Sequence, residues 1–113
     1  MAEGETAVRV DRATVLGNPY CHGARGAVCD AFAALLRETL EAAEGDVGAA
    51  RVAEIGRAAG VPIGGGCPRP WNGPGAREAI ERLRGLARER DLVLCCNCAP
   101  KECHAESIRE ALM

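Results

Sequence analysis

Aromatic side chains are nearly missing from this 113-residue chain: Tyr20, Phe32 and Trp71 are the only three. A core must therefore be assembled from Ala, Val, Leu and Ile, each burying less area than an aromatic ring. Lysine occurs once, at Lys101, and the net charge is −2, so the basic footprint of a nucleic-acid binder is lacking. The arginines alternate with glutamates and read as solvated helix faces. No apolar run approaches the ~18–20 residues of a membrane span. The acidic start Met1-Ala2-Glu3-Gly4-Glu5 has none of the apolar character of a signal peptide. These absences exclude nucleic-acid partners and membrane insertion from the expectation. They point to the cytoplasm or another reducing intracellular compartment.

What the chain has in quantity is glycine, 14 residues, and cysteine, seven. Glycine adds chain entropy that folding must overcome, so the free monomer is expected to be modestly stable, or to have help from a metal, a ligand or a partner. An odd number of cysteines cannot all pair internally. Without a secretory signal, metal binding, catalysis or simple burial outranks a disulfide framework. The length suits one small domain spanning residues 1–113.

Four of the cysteines fall in one stretch, Leu92-Val93-Leu94-Cys95-Cys96-Asn97-Cys98-Ala99-Pro100-Lys101-Glu102-Cys103-His104. Residues 92–96 are a short apolar run of the kind that forms a buried strand. Pro100 stands where a helix likes to begin, and Glu102 would fall in its first turn. The pattern predicts strand, cysteine-rich turn and helix, with thiols beside backbone N–H groups that stabilise thiolates.

Before that stretch, residues 1–7 read as a loose tail and Val8-Arg9-Val10 as a first strand. Gly17-Asn18-Pro19-Tyr20 is a rigid turn, either structural or a backbone loop that meets a ligand. Cys21 and His22 follow it. Val28, Phe32, Leu35, Leu36 and Leu40 recur at helical spacing and predict a helix over 25–43, with Cys29 as a small residue on the edge of its buried stripe. A second helix is expected over 47–59, with Asp46 as N-cap and Gly60 at its end. Val61-Pro62-Ile63 would be an edge strand because of its proline. Residues 64–75 form a Gly/Pro-rich loop in which Cys67 and Trp71 are candidate anchors. Helices over 74–90 and 100–112 complete the chain, the last placing His104, Ile108 and Leu112 on one face. Alternating helices and short strands predict an α/β domain with a small, mainly parallel, Rossmann-like sheet flanked by helices. In such sheets, ligand sites gather at the carboxyl ends of the strands.

Two of these motifs together resemble a known family. Gly17-Asn18-Pro19-Tyr20 and the late Cys96-Asn97-Cys98-Ala99-Pro100-Lys101-Glu102-Cys103-His104 are similar to the Gly-Asn-Pro-aromatic turn and Cys-x-Cys-x-Pro-x-x-Cys-His motif of the domain of unknown function 4326 family. The resemblance runs from about Val8 to the C-terminus and is poorest over 45–75. Asn97 stands where that family usually has an aromatic, and Ala105 where it has a glycine. The resemblance supports an α/β domain with a site at these residues, and implies no reaction.

The residues themselves leave several chemistries open. Cys96, Cys98 and Cys103 are soft donors for zinc or, less favoured, an iron–sulfur cluster, with one of Cys21, His22 and Cys67 as a fourth ligand. Alternatively Cys103, with His104 or His22 as base, is a reactive thiolate of an enzyme, or part of a site for a small anionic, nucleotide-like ligand held by Gly17, Asn18, Pro19 and Tyr20. A third reading is a non-enzymatic subunit that docks on a partner protein or on a second copy. The plainest reading makes the cysteines and His104 ordinary core residues.

Overall fold

The computed structural model describes residues 5–10, 14–20, 24–64, 68–89, 91–95 and 105–112. Two strands, β1 (Glu5–Arg9) and β2 (Asp91–Cys95), pair in parallel, with Glu5 opposite Asp91 and Arg9 opposite Cys95. Between them in sequence lie α1 (Arg25–Glu41), a 3-10 turn (Ala43–Gly45), α2 (Ala49–Ala58) and α3 (Gly73–Ala87). Helix α4 (Ala105–Leu112) follows β2.

The architecture corrects the expected fold class. The protein is mostly helical, and among the described residues the sheet is a two-stranded ribbon rather than a Rossmann-like layer flanked by helices. The expected third strand fails for a physical reason. In Val61-Pro62-Ile63 only Val61 is buried, Pro62 cannot donate to a ladder, and the segment ends on an isolated bridge at Gly64. Smaller corrections concern element ends. The loose tail cannot reach residue 7, because β1 begins at Glu5. The Gly/Pro-rich loop stops at Asn72, because Gly73, Pro74 and Gly75 already belong to α3.

Helix α1 is the central element. Its buried residues Ala31, Phe32, Leu35, Leu36 and Thr39 span a wide face, and that face serves two cores. Phe32 and Leu36 join Val10, Leu16, Ala76, Ile80, Leu83 and Ile108 in one. Ala31 and Leu35 join Tyr20, Val52, Ile55 and Val61 in the other. Trp71 packs against both and sets its ring edge-on to Phe32, with centroids 6.0 Å apart. Its indole N–H donates to the Thr39 hydroxyl (3.0 Å), which itself donates to the Leu35 carbonyl (2.8 Å). The Trp71 segment is therefore anchored on α1, as a buried indole N–H needs a partner.

The helix ends follow familiar rules with one exception. Gly60 takes φ +87°, its N–H reaches the Arg57 carbonyl and the Val61 N–H reaches Gly56, a Schellman ending for α2. Asn72 caps α3 by accepting from the Gly75 N–H (2.9 Å), with Pro74 in the first turn. The expected cap at Asp46 is not formed. Gly48 precedes α2 instead, with no side-chain cap. Arg77 donates to the Ala42 carbonyl just past α1 (2.9 Å), and Arg84 donates to Ala111 near the end of α4 (2.8 Å).

Helix α3 approaches the 3-10 turn backbone to backbone at Gly45 and Gly73, where a Cβ on Gly73 would overlap the Gly45 carbonyl. Gly73→Ala should lower stability by about 1–3 kcal/mol through overpacking. Gly85, in the same helix with open space around it, should gain about 0.5–1 kcal/mol as Gly85→Ala. Urea unfolding of the two variants checks the contrast.

On the outside, Arg51 of α2 grips Glu38 of α1 through two 2.7 Å hydrogen bonds. Those bonds hold the Glu38 carboxyl below its ordinary range. A depressed folded-state pKa contributes stability above the unfolded pKa, and the contribution is lost as pH falls through the folded value. The difference in Tm between the native chain and Glu38→Gln should close as acid is added.

Candidate functional site

Parallel register places the carboxyl ends of β1 and β2 side by side, at Arg9 and Cys95. Two connections leave this rim. One runs from β1 through buried Val10 and Leu16 to the Gly17-Asn18-Pro19-Tyr20 turn and then to α1. The other runs from Cys95 through residues 96–104 to α4. Ile108 of α4 shares a core with Val10, Leu16 and Phe32, so the far ends of both connections are packed together.

The first connection can be followed in detail. The Gly17 N–H closes on the Thr14 carbonyl (3.0 Å). Asn18 is 5% exposed and uses both ends of its amide: Oδ1 accepts from the Tyr20 N–H (2.9 Å), and Nδ2 donates to the Val28 carbonyl (3.0 Å). The first bond is the two-residues-on contact that favours Asn in turns. The second reaches ten residues ahead into α1. Pro19 is buried and its carbonyl accepts from the Arg69 N–H (3.0 Å), which ties the Gly/Pro-rich loop to the turn. Tyr20 is fully buried and donates its hydroxyl to the Val52 carbonyl at 2.6 Å. Gly56 makes room for its ring, since a Cβ there would lie 2.8 Å from Tyr20 Cε1.

Of the residues expected to bind a small anion, Asn18, Pro19 and Tyr20 are thus buried and bonded within the fold, and Gly17 is half-buried beside them. Cys29 is half-buried on α1, next to the Val28 carbonyl that Asn18 engages. The thiol and imidazole candidates Cys21, His22, Cys67, Cys96, Cys98, Cys103 and His104 lie outside the described residues. So does the part of the last expected helix before Ala105. Among the described residues no three His, Cys, Asp or Glu side chains converge as a metal site. The expected common face of the last helix holds for Ile108, which is buried, and Leu112, which packs against the same core.

A cleft of about 210 Å³ opens between α1 and α4, lined by Leu36, Leu40 and Ala111 with Arg37, Ser107 and Glu110. It is smaller than the roughly 300–1,000 Å³ of ordinary small-molecule sites, and among the described residues no buried side-chain polar atom is left without a hydrogen-bond partner to hold a ligand there. What the sequence did not reveal is that the turn is a junction. Val28 and Arg69 hydrogen-bond to it through backbone atoms, and backbone hydrogen-bond partners leave no residue-type signal.

The described fold defines a mainly helical domain whose paired strands open, at one rim, onto a buried Asn-Pro turn and a cysteine-rich connection. The chain belongs to the family described as "Domain of unknown function (DUF4326)", which matches residues 1–113. No curated protein and no solved structure matches it. Among the described residues, no helix is long and apolar enough to cross a membrane.

The turn's structural role has a measurable consequence. Tyr20→Phe removes the hydroxyl bonded to Val52 and should cost about 1 kcal/mol, seen as a Tm lower by roughly 4–8 °C.

Proposed function

We propose that this protein binds one zinc ion at the strand rim, through Cys96, Cys98 and Cys103 and a fourth donor drawn from Cys21, His22 and Cys67. The observation that carries this reading is the parallel register, in which Arg9 and Cys95 end their strands together. It starts the connection bearing Cys96, Cys98 and Cys103 beside the one bearing Cys21 and His22. Three thiolates within eight residues are too few for the tetrahedral closure that structural zinc takes, so a donor from another segment is required.

The energetics of the fold support the same reading. A two-stranded ribbon is marginal on its own, and an eight-residue helix such as α4 is below the length that holds without packing. A metal bound between β2 and α4 would couple ligand binding to folding of that end of the chain.

Metal analysis of the full purified chain tests the proposal. About one zinc per chain is expected, with Cys96→Ser, Cys98→Ser and Cys103→Ser each abolishing stoichiometric binding. Chelation should lower Tm by more than ~10 °C. A metal-free, colourless and fully folded protein overturns the proposal. Selective alkylation of Cys103 in that metal-free protein would instead establish the reactive-thiolate alternative. A coloured protein containing iron and sulfide would replace zinc with a cluster.

A further inference from the structure

We infer that the cleft between α1 and α4 is a self-association surface, on which a second copy of this chain seats its own α1 and α4 in reversed order. The cleft has an apolar floor and two charged walls. Leu36, 2% exposed, lies at its base, and Leu40 is half-buried, packed on the core with part of its surface left open. The small side chains of Ala33 on α1 and Ala111 on α4 are half-buried at the walls. Helix separation follows the size of the side chains at the contact, so small walls let a second pair of helices come close.

The charges say what fits. Arg37 on α1 and Glu110 on α4 are both exposed and line opposite sides of the cleft. Among the described residues neither of them forms an ion pair, whereas Glu38, next to Arg37 in sequence, is held by Arg51. A face with one positive and one negative wall is its own complement. A twofold axis along the cleft sets α1 of each copy against α4 of the other, and two Arg37–Glu110 pairs then form at once. A partner charged with one sign only would be repelled at one of the walls. The net charge of −2 opposes the approach of two copies only weakly.

The size of the face sets the strength. Eight-residue α4 is about 12 Å long, and two helices side by side are about 20 Å across. That is small against the roughly 800 Å² per partner of a standard interface. The dimer is therefore a reversible one, micromolar or weaker.

Sedimentation equilibrium of the full chain in reducing buffer, where no disulfide can mimic association, tests this. The native chain should pass from monomer to dimer within the micromolar-to-millimolar range. Arg37→Glu and Glu110→Arg each turn two attractive pairs into two repulsive ones, and each should weaken association by about 10-fold or more. An equimolar mixture of these two variants should associate again, because every wall then meets its opposite. Arg57→Glu, an exposed reversal on α2 outside the cleft lining, should leave association unchanged. Circular dichroism and Tm confirm that each variant is folded. Where a reversal unfolds the chain, Arg37→Gln and Glu110→Gln take its place, each expected to weaken association by about 2- to 30-fold. A native chain that stays monomeric throughout that range overturns the proposal. So does a dimer that the cleft variants leave unchanged, or one that Arg57→Glu weakens equally, or single reversals whose mixture fails to associate, since the copies would then meet by another face.

Discussion

Everything in this fold is conditioned by the parallel pairing of β1 and β2, because parallel strands cannot be joined by a tight turn. Arg9 and Cys95 are register partners 86 residues apart, so pairing them closes nearly the whole chain into one loop. The length-dependent part of that closure costs about 4 kcal/mol, which five facing residue pairs do not offset by themselves. The ribbon holds because helices pack on it, with α3 and α4 both in contact with β2. The same pairing is why the two segments that carry soft donors start from one rim. Fold closure and the candidate site are consequences of one contact.

Helix α1 makes that closure affordable in a chain so poor in aromatics. A helix with a narrow stripe serves one core, whereas α1 turns Phe32 and Leu36 to one and Ala31 and Leu35 to the other. Two of the three aromatics, Tyr20 and Phe32, are fully buried, one in each core, and the third, Trp71, spans both. Thr39 is the polar element in this arrangement. Its hydroxyl is fully buried, yet it is satisfied as donor to Leu35 and as acceptor from Trp71, so it fixes where the indole sits while its own desolvation is offset by two hydrogen bonds.

Much of the helical framework was legible in the residues because it rests on periodicity and end signals. Phe32, Leu35 and Leu36 lie where their spacing put them, and Gly60 ends α2 in the left-handed conformation that glycine tolerates. The sheet was read too generously, since alternation of helices with short apolar runs does not say how many runs will pair. Val61 was apolar enough for a strand but is buried against Tyr20 and Leu35 instead. The Asp46 cap failed because Gly48 starts the helix two residues later. At the site, the motif and the turn were visible as residue types, while the two ends of the Asn18 amide were not. A side chain that bonds a neighbour's N–H and a carbonyl ten residues away is specified by packing, not by local pattern.

The two connections that leave the rim are held by different means, and that contrast bears on where a metal would matter. The β1 side is fixed without one, by the amide of Asn18, the hydroxyl of Tyr20 and the backbone bond from Arg69 to Pro19. The β2 side passes through nine residues to a helix whose described anchors are Ile108, its packed neighbours Ala111 and Leu112, and the Arg84 bond to the Ala111 carbonyl. Each apolar side chain there contributes on the order of 1.5–3 kcal/mol at full burial, and only Ile108 among them is fully buried. The zinc proposed above would join these two connections, one held by three side-chain hydrogen bonds and the other leading to a helix with a single fully buried side chain among its described anchors.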